Sequence, residues 1–131
     1  MVIIQCDTVQ QRCCGYNCTH AFYHRDGKFA GYAADTRYMS FSCGGCCGGA
    51  LTVKMENLCK RLRRFKEDVY DDIVIHLSSC MVSDNSHKPP CPHIDYMVKL
   101  LAKKGFTHIV KGTYLSKTAS KRREQGIYQE F

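Results

Sequence analysis

Short apolar runs alternate along the chain with longer amphipathic stretches, and the two kinds of pattern predict different elements. Val2-Ile3-Ile4 is β-branched and gives way at once to polar, cysteine-rich sequence, as a buried first strand does. Residues 38–42 (Tyr-Met-Ser-Phe-Ser), 72–77 (Asp-Ile-Val-Ile-His-Leu) and 107–111 (Thr-His-Ile-Val-Lys) predict three more strands, of which 72–77 is the clearest. Between them Leu51, Met55, Leu58, Cys59, Leu62 and Phe65 recur at steps of three and four. That spacing predicts a long helix with one apolar stripe opposite a basic face. Ile94, Met97, Val98 and Leu101 predict a second helix, with Pro92 near its start and Gly105 as its stop signal. Weaker periodicity predicts a short helix from about Asn17 to Arg25, ahead of Gly27 and Gly31.

Strands that alternate with helices imply βα units, hence a mostly parallel sheet with helices on both faces. The expected fold is a single three-layer α/β domain with four or five strands, Rossmann- or flavodoxin-like. It spans residues 1–114, and residues 115–131 read as a basic polar extension whose Ile127 and Tyr128 dock only weakly.

Composition narrows the class. The 131 residues suffice for one core and not for a second large domain, and 44% hydrophobic with 24% charged residues is ordinary globular usage. No apolar run approaches the roughly 18–20 residues that cross a bilayer, so no membrane role is expected. The formal charge of +7 is concentrated in Lys60, Arg61, Arg63, Arg64 and Lys66 and again in Lys117, Lys121, Arg122 and Arg123. No helix-turn-helix, zinc-finger spacing or aromatic stacking motif accompanies it, so a solvated helix face is the reading and nucleic acid is not the expected partner.

Ten cysteines and six histidines change the picture more. The N-terminal segment has no basic region, long apolar stretch or small-residue cleavage site, so a reducing cytoplasm is the expected compartment. Cysteines there serve as metal ligands, redox groups or small core residues more often than as disulfides. Their placement then matters, because an open parallel sheet binds ligands at the carboxyl ends of its strands. Cys6 follows the first predicted strand, Cys43 the second and Ser78-Ser79-Cys80 the third, while Gly112-Thr113-Tyr114 follows the fourth.

Cys43-Gly44-Gly45-Cys46 lies between the second strand and the long helix. Two thiols at that spacing can share a metal ion or close a reversible disulfide, and the helix N-terminus would favour their thiolates. Cys80 and Cys91-Pro92-His93 extend the site, and Cys13, Cys14 and Cys18 with His20 and His24 form a second cluster after the first strand. For Cys14 and Cys47 ligand and bystander stand equally open. Cys59 lies on the apolar stripe and reads as core. His76 is either a hydrogen-bonded core histidine or a ligand or supporting group, and His87 and His108 read as loop and strand-surface residues.

At these residues the chain resembles the CGGC-domain family, small prokaryotic proteins named for the Cys43–Cys46 tetrapeptide. The likeness rests on Cys6, Cys13, Cys18, the CGGC, residues 76–80 (His-Leu-Ser-Ser-Cys) and Cys91-Pro92-His93. It implies a metal, zinc foremost, bound by cysteines and histidines. Two positions depart from the family pattern. Cys47-Gly48 replaces proline and glycine after the CGGC, and Tyr114 replaces a histidine after Gly112-Thr113.

The expected function is therefore a cytoplasmic metal-binding domain with a thiolate/histidine site at the carboxyl edge of the sheet. Its candidate ligands are Cys6, Cys13, Cys18, Cys43, Cys46, Cys80, Cys91, His76 and His93. Zinc is favoured. An iron–sulfur cluster is the alternative cofactor, since four thiolates at one edge suit it equally. A thiol- or metal-dependent oxidoreductase using Cys43 and Cys46 as its redox pair is the alternative activity.

Overall fold

The computed structural model describes residues 1–67, 69 and 71–129; the last two residues of the predicted extension, 130 and 131, lie outside the described residues. Four strands, β1 (Val2–Gln5), β2 (Met39–Ser42), β3 (Ile75–Leu77) and β4 (Ile109–Lys111), form one all-parallel sheet in the order β2-β1-β3-β4. The described residues also hold six α-helices: α1 (Asp7–Gln10), α2 (Tyr16–His24), α3 (Leu51–Arg64), α4 (Ser79–Val82), α5 (Ile94–Lys103) and α6 (Lys117–Glu124). The predicted α/β class and parallel sheet are thus observed, with four strands. The third strand is shorter than predicted, because Asp72 closes a turn onto Val69 through its N–H before the ladder begins.

β1 is buried along its whole length and pairs with β2 on one side and β3 on the other, Ile3 lying between Ser40 and His76. Alternation along the strands divides the core in two. Val2, Ile4, Ile75 and Leu77 face α3 and α5, packing with Leu51, Met55, Met97 and Leu101. Each of these fully buried side chains contributes roughly 1.5–3 kcal/mol by leaving water. Ile3 packs on the other face against Ala21 and Phe22 of α2 and against Phe29, and His76 contacts the Phe29 ring there. Helices therefore cover both faces, as a parallel sheet requires.

The two predicted long helices form where their stripes lie. Phe65 alone leaves its predicted stripe: it caps α3 and is 69% exposed. α5 ends as its Gly105 predicts. That residue sits at φ +93°, its N–H donates to the Ala102 carbonyl, and the Phe106 N–H donates to Leu101, which returns Phe106 to the core. The C-terminal extension is more ordered than its composition implies. Ser116 caps α6 by accepting the Ala119 N–H at 3.3 Å, and Arg122 donates to the Tyr128 hydroxyl at 2.6 Å. Ile127 stays exposed.

The CGGC segment differs from expectation in its local geometry. A 3₁₀ turn (Cys46–Gly48) separates it from α3, so neither thiol sits at the first turn of that helix. Gly44 is at φ +80°, and a Cβ built there would meet Ala50 Cβ at 2.3 Å. Gly45 is at φ +99° with open space around it. Gly44 thus lets the loop fold back onto the start of α3, a backbone packing role.

This contrast separates space from conformation. Gly45→Ala should cost about 1–2 kcal/mol, the penalty of a left-handed backbone alone. Gly44→Ala should cost roughly 2–4 kcal/mol, because overpacking is added. Urea midpoints of the two variants check this, and equal losses would remove the packing role assigned to Gly44.

Candidate functional site

The order β2-β1-β3-β4 reverses direction between β1 and β3, and the crevice beyond the carboxyl ends of those strands is where such sheets bind ligands. A cavity of about 220 Å³ opens there. Four cysteines line it: Cys6, Cys13, Cys18 and Cys80.

Each arrives by a different local device. Cys6 is the N-cap of α1, 7% exposed, and its carbonyl accepts the Gln10 N–H at 2.9 Å. Cys13 follows that short helix, its N–H donating to Val9 at 2.9 Å. Cys18 is in the first turn of α2, whose N-cap Gly15 stands at φ +78° with the Gln5 amide occupying the space a side chain would take. Cys80 is in the first turn of α4, and its Sγ lies 3.1 Å from the Ser78 hydroxyl.

Thr113, after β4, joins these pieces. It is fully buried; its N–H donates to Ser79 Oγ at 2.9 Å and its Oγ1 accepts the Ser79 N–H at 3.1 Å. That oxygen also lies 3.3 Å from Cys18 Sγ. With one lone pair engaged by the Ser79 amide, the hydroxyl hydrogen is available to the sulfur.

The electrostatics follow from this enclosure. Burial pushes the Cys18 thiol above its ordinary value, opposed by hydrogen bonds from the Thr113 hydroxyl, the Tyr114 N–H and the Gln5 amide, while Cys13 raises it further. Burial likewise pushes Cys80 up, against donors from Ser78 and the Cys6 N–H, with Cys18 and Cys6 adding to the rise. Both half-buried sulfurs are therefore partly withdrawn from water, with hydroxyls and amides beside them that can favour the thiolate once it forms.

The other candidate ligands lie elsewhere. Cys43 is buried in the same apolar cluster as Cys6; its N–H extends the sheet to the Gln5 carbonyl at 2.8 Å, and its thiol donates to Gly45 O at 3.7 Å. Cys46 is exposed, so the CGGC holds one thiol in and one out. Cys91 packs half-buried against that cluster, and half-buried His93 caps α5. His76 is wholly buried. Its Nδ1 donates to the Gly112 carbonyl at 2.7 Å, which leaves Nε2 to accept from the Tyr32 hydroxyl at 2.8 Å. Burial lowers its pKa, partly offset by that carbonyl, so the ring is neutral near pH 7.

Cys14 and Cys47 are exposed, and Cys59 packs partly buried against the core. Among the described residues, no three His, Cys, Asp or Glu side chains are already arranged about a common point as metal ligands.

The extension supplies lining that was not foreseen: Ser116, Thr118, Arg122 and Arg123 border the cavity from α6 and its cap. The serine that caps α6 was the available signal, since a hydroxyl three residues ahead of Ala119 is an N-terminal pattern.

A family model described as CGGC domain matches residues 1–114. No curated protein matches, and no solved structure matches. None of the described helices is long and apolar enough to cross a membrane.

A pH dependence follows for the metal-free, reduced protein. Raised thiol values mean that the stability contributed by neutral Cys18 and Cys80 is complete below the ordinary thiol value of 9.0 and is lost as pH rises beyond it. The lowered His76 works on the acid side: its contribution is present above the ordinary 6.5 and is lost as pH falls below it. Thermal midpoints should fall in both directions, and a Cys18→Ser/Cys80→Ser double variant should flatten the alkaline limb. An alkaline limb unchanged in that variant would contradict the assignment.

Proposed function

The chain belongs to the CGGC-domain family, and on that premise we propose that it is a metal-binding protein of a reducing cytoplasm whose ligands are Cys6, Cys13, Cys18 and Cys80, with zinc as the ion. The observation that carries this reading is the convergence of those four thiols, from four separate segments, on one cavity at the β1/β3 switch point.

The donor set fits the ion by chemistry. Thiolates suit thiophilic metals, and four of them make a closed site with no open position. The hydroxyls at Cys18 and Cys80 support it as well, because hydrogen bonds to ligand sulfur orient the ligand and disperse its charge. Loading requires the thiols to turn toward a common point and to release their protons, so affinity rises with pH. The bound ion would supply a cross-link between the end of β1, the loop after α1, α2 and α4. This is structural rather than hydrolytic chemistry. Cys43, Cys46, Cys91, His76 and His93 stay outside the ligand set.

An iron–sulfur cluster is the second reading, and one observation favours it. Four thiolates are the ligand set of a [4Fe–4S] cluster, and the open cavity that they line, about 220 Å³, leaves room for more than one ion.

Protein purified without oxygen, assayed for zinc, iron and sulfide, decides between them. Colourless protein with one zinc per chain is expected; brown protein with iron and sulfide selects the cluster. Cys18→Ser and Cys80→Ser should lose the metal, whereas Cys46→Ser and Cys59→Ser should retain it. Thr113→Val should weaken metal binding about 10–100-fold, with recovery in Thr113→Ser. Equal loss from Cys46→Ser, or full retention in Cys18→Ser, would overturn the ligand assignment.

A further inference from the structure

α2 turns one flank to the cavity and another to solvent. Cys18 is on the first, while Ala21 and Phe22 bury against the sheet. On the exposed flank stand His20 and His24, one helical turn apart, with ring centroids 4.2 Å apart and ring planes inclined by 32°.

Side chains at this spacing share a helix face, with Cβ atoms about 5–6 Å apart. Two imidazoles that bind one ion at about 2.0–2.1 Å from a nitrogen of each, at roughly 90–110° to one another, lie about 4.5–5.2 Å apart between centroids. The observed 4.2 Å is within about 1 Å of that range, so the rings need only turn and part slightly on their exposed side chains. Two further facts bear on the pair. Their ring contacts are with each other and, for His20, with Tyr16 at 5.8 Å, and neither is engaged in an ion pair. The adjacent cation is also turned away: Arg25 donates to the carbonyls of Phe22, Tyr32, Ala33 and Ala34 and lies over the Phe22 ring.

We infer that the solvent face of α2 is a second metal site, at which His20 and His24 together chelate one divalent transition ion. Water completes the coordination. Neutral imidazole prefers borderline ions, so Cu²⁺ is held most tightly, followed by Ni²⁺ and Zn²⁺, while Mg²⁺ and Ca²⁺ are not held. This site differs in kind from the thiol cavity and stands independently of it, since its donors lie on the exposed side of the helix that sends Cys18 inward.

The test uses Ni²⁺, whose paramagnetism reports which rings it approaches. Substoichiometric Ni²⁺ is added to the full chain, and the imidazole proton signals of all six histidines are followed by NMR. Selective broadening of His20 and His24 is expected, ahead of His87 and His108. His24→Gln should weaken Ni²⁺ binding at His20 at least tenfold, and His87→Gln should leave it unchanged. Both histidines are exposed, so these substitutions do not threaten the core. The inference is overturned if His87 or His108 broadens equally, or if His24→Gln binds Ni²⁺ at His20 as tightly as the parent. Loss of the broadening at His20 and His24 in His87→Gln would also overturn it, by placing the ion at that ring.

Discussion

Parallel pairing of β1 on both of its edges is the constraint on which everything else depends. A strand with neighbours on either side and a covered face above and below is largely apolar, as Val2-Ile3-Ile4 is, and a polar residue buried in such strands needs a partner, as His76 has in β3. Parallel neighbours also end at the same edge. Chain segments as distant as Cys6 and Cys80 therefore emerge side by side, and the residues that follow strands become a single surface. The crossovers leave β1 and β3 in opposite directions, so the surface opens into a crevice just between those two strands. No local motif makes this site. Topology makes it, and the cysteines are placed where topology delivers them.

This explains which parts were legible in the sequence. Strand positions, the stripes of α3 and α5 and the helix near residues 17–25 follow from periodicity, and chain order puts Cys6 and Cys80 directly after strands, with Cys13 and Cys18 in a second cluster after the first. What could not be read is the direction in which each loop turns its side chains. Cys43 follows a strand as Cys6 does, yet its thiol is spent on Gly45 and the apolar cluster, because the loop folds back through Gly44 onto Ala50. His76 lies inside β3, where alternation sends it to the α2 face, away from Ile75 and Leu77 and toward Tyr32 and Phe29. The helical extension escaped because its composition is polar and its one structural signal is a capping serine.

The most recognisable motif and the cavity lined by Cys6, Cys13, Cys18 and Cys80 are therefore not the same place. Glycines beside cysteines invite a ligand-cradle reading, but a glycine at positive φ whose missing Cβ is filled by a neighbour is performing a packing task. Cys43 contributes to the core beside Cys6, while Cys46 is left at the surface. The motif also fixes how β2 passes into α3, and α3 supports the face of the sheet on which Cys6 and Cys43 are buried.

The thiols of the cavity occupy a balanced position that limits what they can do. Enclosure alone would keep Cys18 and Cys80 protonated and inert, since an isolated buried thiolate is unfavourable. Yet the enclosure includes hydroxyls and amides beside the sulfurs, groups that serve the thiol and can turn to donate to the thiolate once it forms. Thr113 is the clearest case: with one lone pair engaged by the Ser79 amide, its hydroxyl keeps a hydrogen and a second lone pair for Cys18, so it can pair with the thiol or donate to the thiolate. Such surroundings resist spontaneous thiolate formation and favour it when a cation arrives to share the charge. That asymmetry separates a metal ligand from a free nucleophile, which must be anionic before its partner appears. The state of Cys18 and Cys80 is thus set less by either cysteine's own segment than by what the ends of β1, β3 and β4 bring beside it.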